Sequence, residues 1–73
     1  LELFIRPDAP RRVTDPEAMG LRHLAFHVED IEPVVRWLNS MGIETEPIRV
    51  DAVNGGRFPF FKDPDGLPLE LHE

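Results

Sequence analysis

The sequence contains no cysteine, which excludes disulfides and thiolate metal sites, so any tight metal site must use His, Asp or Glu. Basic residues are few: eight Lys and Arg against fourteen Asp and Glu give a formal net charge of −6, which argues against nucleic acid or an anionic membrane as partner. No apolar run approaches the roughly 20 residues that span a bilayer, and no export signal is visible. We therefore expect a cytoplasmic protein.

The chain is short, and it begins without Met inside an apparent strand, so we expect it to be the C-terminal part of a longer protein. Residues 67–73 alternate apolar and polar side chains, as a strand with one buried face does. In that strand Leu69 and Leu71 share one face and Glu70 points to the other. Leu1, Glu2 and Leu3 repeat the same pattern at the start of the chain.

Periodicity and turn residues predict an α+β fold. We assign residues 1–6 to the last strand of a preceding module, 7–20 to a linker and 21–73 to a β-α-β-β-β module. The helix follows Asp30 as N-cap and ends at Gly42, and its apolar stripe consists of Ile31, Val34, Val35, Leu38 and Met41. The strands are predicted over residues 21–28, 43–50, 57–62 and 67–73, in one sheet with the helix on one face.

Two polar side chains far apart in the chain are the best candidates for chemistry. His23 in the first strand of the module and Glu70 in the last are both predicted to point away from the helix, where an imidazole nitrogen and a carboxylate oxygen form half of a divalent-metal site. By the repeat, Glu2 is a third candidate ligand. A structural histidine on a strand remains the alternative. His27 is a candidate partner of the same site, and either Arg49 or Arg57 could anchor an anionic substrate.

Several segments together resemble the vicinal oxygen chelate superfamily, and more narrowly its small glyoxalase I-like (lactoylglutathione lyase-like) bacterial branch. They are His-Leu-Ala-Phe at 23–26, Gly-Ile at 42–43, Asp-Pro-Asp-Gly at 63–66 and Leu-Glu-Leu at 69–71. The resemblance implies two paired modules whose sheets form a half-barrel around a metal. It makes His23 and Glu70 ligands of the second module and Glu2 the last-strand ligand of the first. The first-strand His of the first module has no counterpart here.

The resemblance also implies a reaction. A divalent metal (Zn, Ni, Mn, Fe or Co) would bind adjacent oxygens of a small-molecule substrate and stabilise an enediolate, while Glu70 or Glu2 moves a proton. The expected activity is a glyoxalase I-like lyase or isomerase acting on a 2-oxoaldehyde–thiol adduct. An extradiol dioxygenase, an epimerase, a fosfomycin thiol transferase and a metal-free binding module remain alternatives. A homodimer or element-swapped oligomer would complete the site.

Overall fold

The computed structural model describes residues 1–73 and has one helix and five short strands. In chain order they are β1 (Leu24–His27), α1 (Ile31–Ser40), β2 (Arg49–Val50), β3 (Arg57–Phe58), β4 (Phe60–Lys62) and β5 (Pro68–His72). The predicted α+β class and the predicted order of strand, helix and later strands are therefore confirmed. No helix in the structure has the length and apolar character needed to cross a bilayer.

The prediction of one sheet is wrong, because β2 and β3 form a separate antiparallel pair; the last strand is the central strand of a three-stranded sheet in the order β1-β5-β4. β5 pairs with β1 in parallel and with β4 in antiparallel fashion. The parallel register sets Ala25 beside Glu70 and Phe26 beside Leu71. Because side chains alternate along a strand, Glu70 and Leu71 point to opposite faces of the sheet, as the sequence predicts.

Prolines divide two of the predicted strands. Pro59 separates β3 from β4, although both parts still bond to β5: the Leu71 amide donates to the Pro59 carbonyl at 3.1 Å, and the Glu73 amide donates to the Arg57 carbonyl at 3.0 Å. The strand predicted over 43–50 is reduced to an isolated bridge at Thr45 and to β2. Pro47 lies between these two parts, and it has no amide hydrogen to donate to a ladder.

The core is small and lies between α1 and β5. Ile31 and Leu38 of the helix and Leu71 of β5 are its buried apolar side chains, with exposed fractions of 0%, 6% and 5%. Burial of each such side chain contributes about 1.5–3 kcal/mol before conformational entropy is subtracted. Met41, which the sequence places in the same stripe, is 64% exposed because it lies beyond the last helical residue.

The two ends of α1 differ in how well the sequence predicts them. At the C-terminus Gly42 has φ of +80°, and the Ile43 amide donates to the Leu38 carbonyl at 3.0 Å, which is the glycine-terminated end that the sequence predicts. At the N-terminus Asp30 makes no side-chain cap. Its predicted role is taken by Glu73, whose Oε2 accepts the Ile31 amide at 3.1 Å.

The strand predicted over residues 1–6 is not formed in the structure. Leu1 and Ile5 are 95% and 91% exposed, and the single backbone bond of the segment is from the Ala9 amide to the Arg6 carbonyl. A strand needs a neighbour to accept and donate its backbone hydrogen bonds, and this chain offers none to the segment. Its assignment to a preceding module stays a prediction.

Candidate functional site

The sheet brings together the imidazole and the carboxylate that the sequence singles out. His23 immediately precedes β1, and Glu70 is the central residue of β5. Because these strands are parallel neighbours, two side chains 47 positions apart in the chain meet, with His23 Nε2 3.0 Å from Glu70 Oε2. The side chains are 33% and 13% exposed, so the pair lies at the surface and remains open to a ligand.

Aromatic side chains surround this pair on the same face of the sheet. Phe60 lies opposite Glu70 in the β4–β5 register, and its ring meets the His23 ring edge-on with centroids 5.1 Å apart. Phe58 continues the row, 5.9 Å from Phe60 and stacked at 6.4 Å on His72. The face therefore combines an imidazole and a carboxylate with adjacent aromatic rings, and such a mixture of a few polar groups with apolar side chains is typical of small-molecule sites.

The geometry of the pair fits a divalent metal ion. Metal bonds of about 2.0–2.2 Å that meet at 90–109° separate two ligand atoms by roughly 2.8–3.6 Å. The observed 3.0 Å lies in that range, and it also fits a direct hydrogen bond with one proton between the two atoms. A metal at Nε2 would take the place of that proton, so the neutral imidazole would bind the metal in the tautomer that carries its proton on Nδ1.

The structure does not bring Glu2 to this pair. No group of three or more His, Asp or Glu side chains comes close enough to hold one metal, and Glu2 lies in the exposed first segment. The chain thus supplies two adjacent donors, His23 and Glu70. The role predicted for Glu2 as ligand and base stays a prediction, since that segment has no partner here.

The sequence candidate His27 and two other polar side chains near these strands are solvent-exposed or have structural contacts. His27 is exposed, and His72 Nδ1 lies 3.1 Å from the Glu73 carbonyl oxygen. Asp63 accepts the amides of Asp65 and Leu67 at 2.9 and 2.8 Å, so its carboxylate closes the turn before β5.

Arg57 belongs to a network on the helix side of the sheet. Its guanidinium donates to both carboxylate oxygens of Glu73, at 2.8 and 2.7 Å, and to Glu32 at the start of α1. Donation from Arg57, together with the Ile31 amide, lowers the pKa of Glu73 to about 2. The same contacts lower the pKa of Glu32 and raise that of Arg57. The sequence offers no local signal for this network, because its members are 16 and 25 residues apart.

Fold and site together define a β-α-β-β-β module that brings one histidine and one glutamate together on the face opposite its helix. A family profile matches residues 1–71, and the chain belongs to the Glyoxalase/Bleomycin resistance protein/Dioxygenase superfamily. This confirms the resemblance found in the sequence.

Two close relatives support the assignment. The chain is 60% identical over 73 residues to the protein YwkD of Bacillus subtilis (strain 168), covering 100% of the chain and 57% of that protein. The structure matches the glyoxalase family protein from Enterococcus faecalis with a TM-score of 0.88 and 64% identity, covering 90% of the chain and 52% of that one. The chain thus spans about half the length of the relatives that it matches.

More distant relatives carry named activities. The chain is 33% identical over 78 residues to the 2-epi-5-epi-valiolone epimerase of Actinomyces sp., covering 97% of the chain and 43% of that protein. It also matches the fosfomycin resistance protein FosX from Listeria monocytogenes with a TM-score of 0.61 and 25% identity, covering 89% of the chain and 50% of that one. The same module therefore occurs in proteins with different chemistries.

Proposed function

We propose that the full-length protein is a metal-dependent lyase or isomerase of the glyoxalase I type that acts on a 2-oxoaldehyde–thiol adduct. The observation that carries the proposal is the 3.0 Å approach of His23 Nε2 to Glu70 Oε2 on the open face of the sheet. Membership of the superfamily supports it, since the resemblance found in the sequence implies both residues as ligands.

In this proposal His23 and Glu70 hold a divalent ion, which supplies Lewis acidity towards two adjacent oxygens of the substrate. Glu70 also has a second oxygen, Oε1, which makes no hydrogen bond within the chain, while Oε2 faces His23. Oε1 can accept a proton from the carbon next to the carbonyl and return it to the neighbouring carbon. Phe60 packs against the His23 ring and keeps water from that side of the pair.

The proposed site needs more ligands than these two. Catalytic zinc sites, for example, have three protein ligands. We propose that Glu2 is the third, supplied through pairing of two chains as a homodimer or by exchange of the first segment. The exposed apolar side chains beside it support this arrangement, because Leu3 and Phe4 are 84% and 80% exposed and would be buried by a partner strand.

The test uses the full-length protein reconstituted with each candidate metal and assayed with the methylglyoxal–glutathione adduct. We expect turnover with at least one metal, and we expect Glu70→Gln to reduce it by roughly 100-fold or more, the size of a lost general base. Glu29→Gln removes an exposed carboxylate in the loop before α1 and serves as the control. Full activity in Glu70→Gln would remove this residue from the reaction.

A second candidate is an epimerase, which the 33% identity to the Actinomyces enzyme favours. It would use Glu70 to remove a proton from the carbon next to a carbonyl, and a proton would return to the opposite face of the same carbon, with no thiol involved. Deuterium exchange from solvent into a 2-oxo or cyclic ketone substrate, in the absence of thiol, separates the two activities. The epimerase would be favoured if the wild type catalysed this deuterium exchange, Glu70→Gln did not, and the wild type did not turn over the thiol adduct.

A further inference from the structure

The two candidate anion-binding arginines have different surroundings. Arg57 makes four hydrogen bonds to the carboxylates of Glu32 and Glu73 on the helix side of the sheet, so four of its five N–H donors are used. Arg49 makes one hydrogen bond, to Glu46, and its side chain is 54% exposed. Of these two arginines, only Arg49 retains the two or more N–H donors that a bidentate contact needs.

Arg49 lies on the same face as the His23–Glu70 pair. Its Cζ is 5.5 Å from the ring centroids of both Phe58 and Phe60, which are the distances of cation–π contacts. Phe60 in turn touches the His23 ring at 5.1 Å. The Phe60 ring centre is 5.1 Å from the His23 ring centre and 5.5 Å from Arg49 Cζ, so the guanidinium carbon and the His23 ring centre are at most about 11 Å apart. Stacking on two rings fixes the guanidinium without using its N–H donors.

We propose that Arg49 is the specificity-determining residue of this site and binds an oxyanion, a carboxylate or phosphate, of a substrate whose adjacent oxygens reach His23 and Glu70. This inference rests on the proposed function, since it takes the pair as the site of the reaction. An arginine fork binds a carboxylate or phosphate through two parallel hydrogen bonds, which matches the free donors of Arg49.

The neighbouring charges are compatible with an anionic ligand. Glu46 pairs with Arg49, but both side chains are more than half exposed, at 52% and 54%, and an exposed ion pair contributes little. A bound oxyanion with two hydrogen bonds can therefore replace Glu46 on the guanidinium. In a chain of net charge −6, an anionic substrate needs such a fixed cation next to the site.

The test measures binding of three hydroxamates to the metal-loaded full-length protein by calorimetry. Acetohydroxamate offers two adjacent oxygens and no further charge, succinate monohydroxamate adds a carboxylate, and phosphonoacetohydroxamate adds a phosphonate. We expect an anionic probe to bind at least roughly tenfold more tightly than acetohydroxamate, the size of an added charged hydrogen bond. Arg49→Gln should remove that advantage and leave acetohydroxamate affinity within about twofold. The more strongly bound anion identifies the class of substrate.

Arg36→Gln, on the exposed side of α1, removes the same charge away from the site and should change none of the three affinities. Arg49→Lys keeps the charge without the fork and should recover only part of the advantage. Equal binding of charged and uncharged probes, or an equal loss of both in Arg49→Gln, would overturn the proposal. If instead the proposed metal site is wrong, acetohydroxamate should not bind. The anionic probes should then still bind more tightly to the wild type than to Arg49→Gln.

Discussion

Glu70 and Leu71 are neighbours on one strand, and they should separate ligand binding from stability. Leu71 is 5% exposed, so Leu71→Ala removes nearly all of a buried side chain and should lower the free energy of unfolding by about 2–5 kcal/mol. Single domains have about 0.05–0.15 kcal/mol of stability per residue, so this loss is a large part of what a module of this size has. Glu70→Gln keeps an oxygen acceptor at a partly exposed pair and should cost less than about 1 kcal/mol.

For metal affinity, we expect Glu70→Gln to have a larger effect than Leu71→Ala, the reverse of their effects on stability. Loss of a residue that only supports a ligand reduces affinity by about 10–100-fold, so loss of the Glu70 carboxylate should reduce it by at least roughly tenfold. Leu71→Ala should leave the affinity of the folded protein within a few-fold. The assays are urea unfolding of the metal-free full-length protein and calorimetric titration with zinc or nickel. If Leu71→Ala weakened metal binding as much as Glu70→Gln, the two faces of β5 would not be independent and the reasoning would fail.

Two further predictions concern stability. The pKa of Glu73 is lowered from 4.5 to about 2, so the stability that this carboxylate contributes is present above about pH 4.5 and is lost as the pH falls towards 2. Urea unfolding between pH 5 and 2 should show this loss in the wild type and a weaker dependence in Glu73→Gln; equal slopes would contradict it. Gly42→Ala should destabilise by about 1–2 kcal/mol because φ is +80° there, although an added Cβ meets no atom within 4 Å. In urea unfolding, we expect Gly42→Ala to lower the midpoint by less than Leu71→Ala does.

The helix could be predicted because its determinants are local. Ile31 and Leu38 recur at helical spacing and are buried, and Gly42 ends the helix as its lack of a Cβ allows. The N-terminus could not be predicted in the same way. Its cap is Glu73, which reaches Ile31 only after β5 has crossed the sheet.

Strand bounds were harder to predict than strand order. Pro59 is buried and splits the strand predicted over residues 57–62, while its carbonyl accepts the Leu71 amide of β5. The first segment shows the limit of a pattern: residues 1–6 alternate correctly, but alternation alone does not supply the neighbour that a strand needs.

For the site, the alternation of side chains was enough to place His23 and Glu70 on one face. In the parallel register of β1 and β5, paired residues point to the same face, and Ala25, two residues after His23, pairs with Glu70. The choice between Arg49 and Arg57 could not be made from the sequence. Both flank the same hairpin, and their difference depends on distant carboxylates that occupy one guanidinium and leave the other available.

β5 and Glu73, the residue that follows it, hold Glu70 in place, and this arrangement supports the proposed role of Glu70 as a ligand. Leu71 anchors the strand in the core, and Glu73 ties its end to α1 and to Arg57. The backbone on the C-terminal side of Glu70 is thus held by packing and by charged hydrogen bonds, while β1 and β4 hold it on both sides. Only the side-chain torsions of Glu70 remain free, so ligand binding there requires little reorganisation of the strand. If Glu70 binds a metal as proposed, its place on a central strand with such neighbours would position it in advance, whereas Glu2 on the exposed first segment would need a partner to position it.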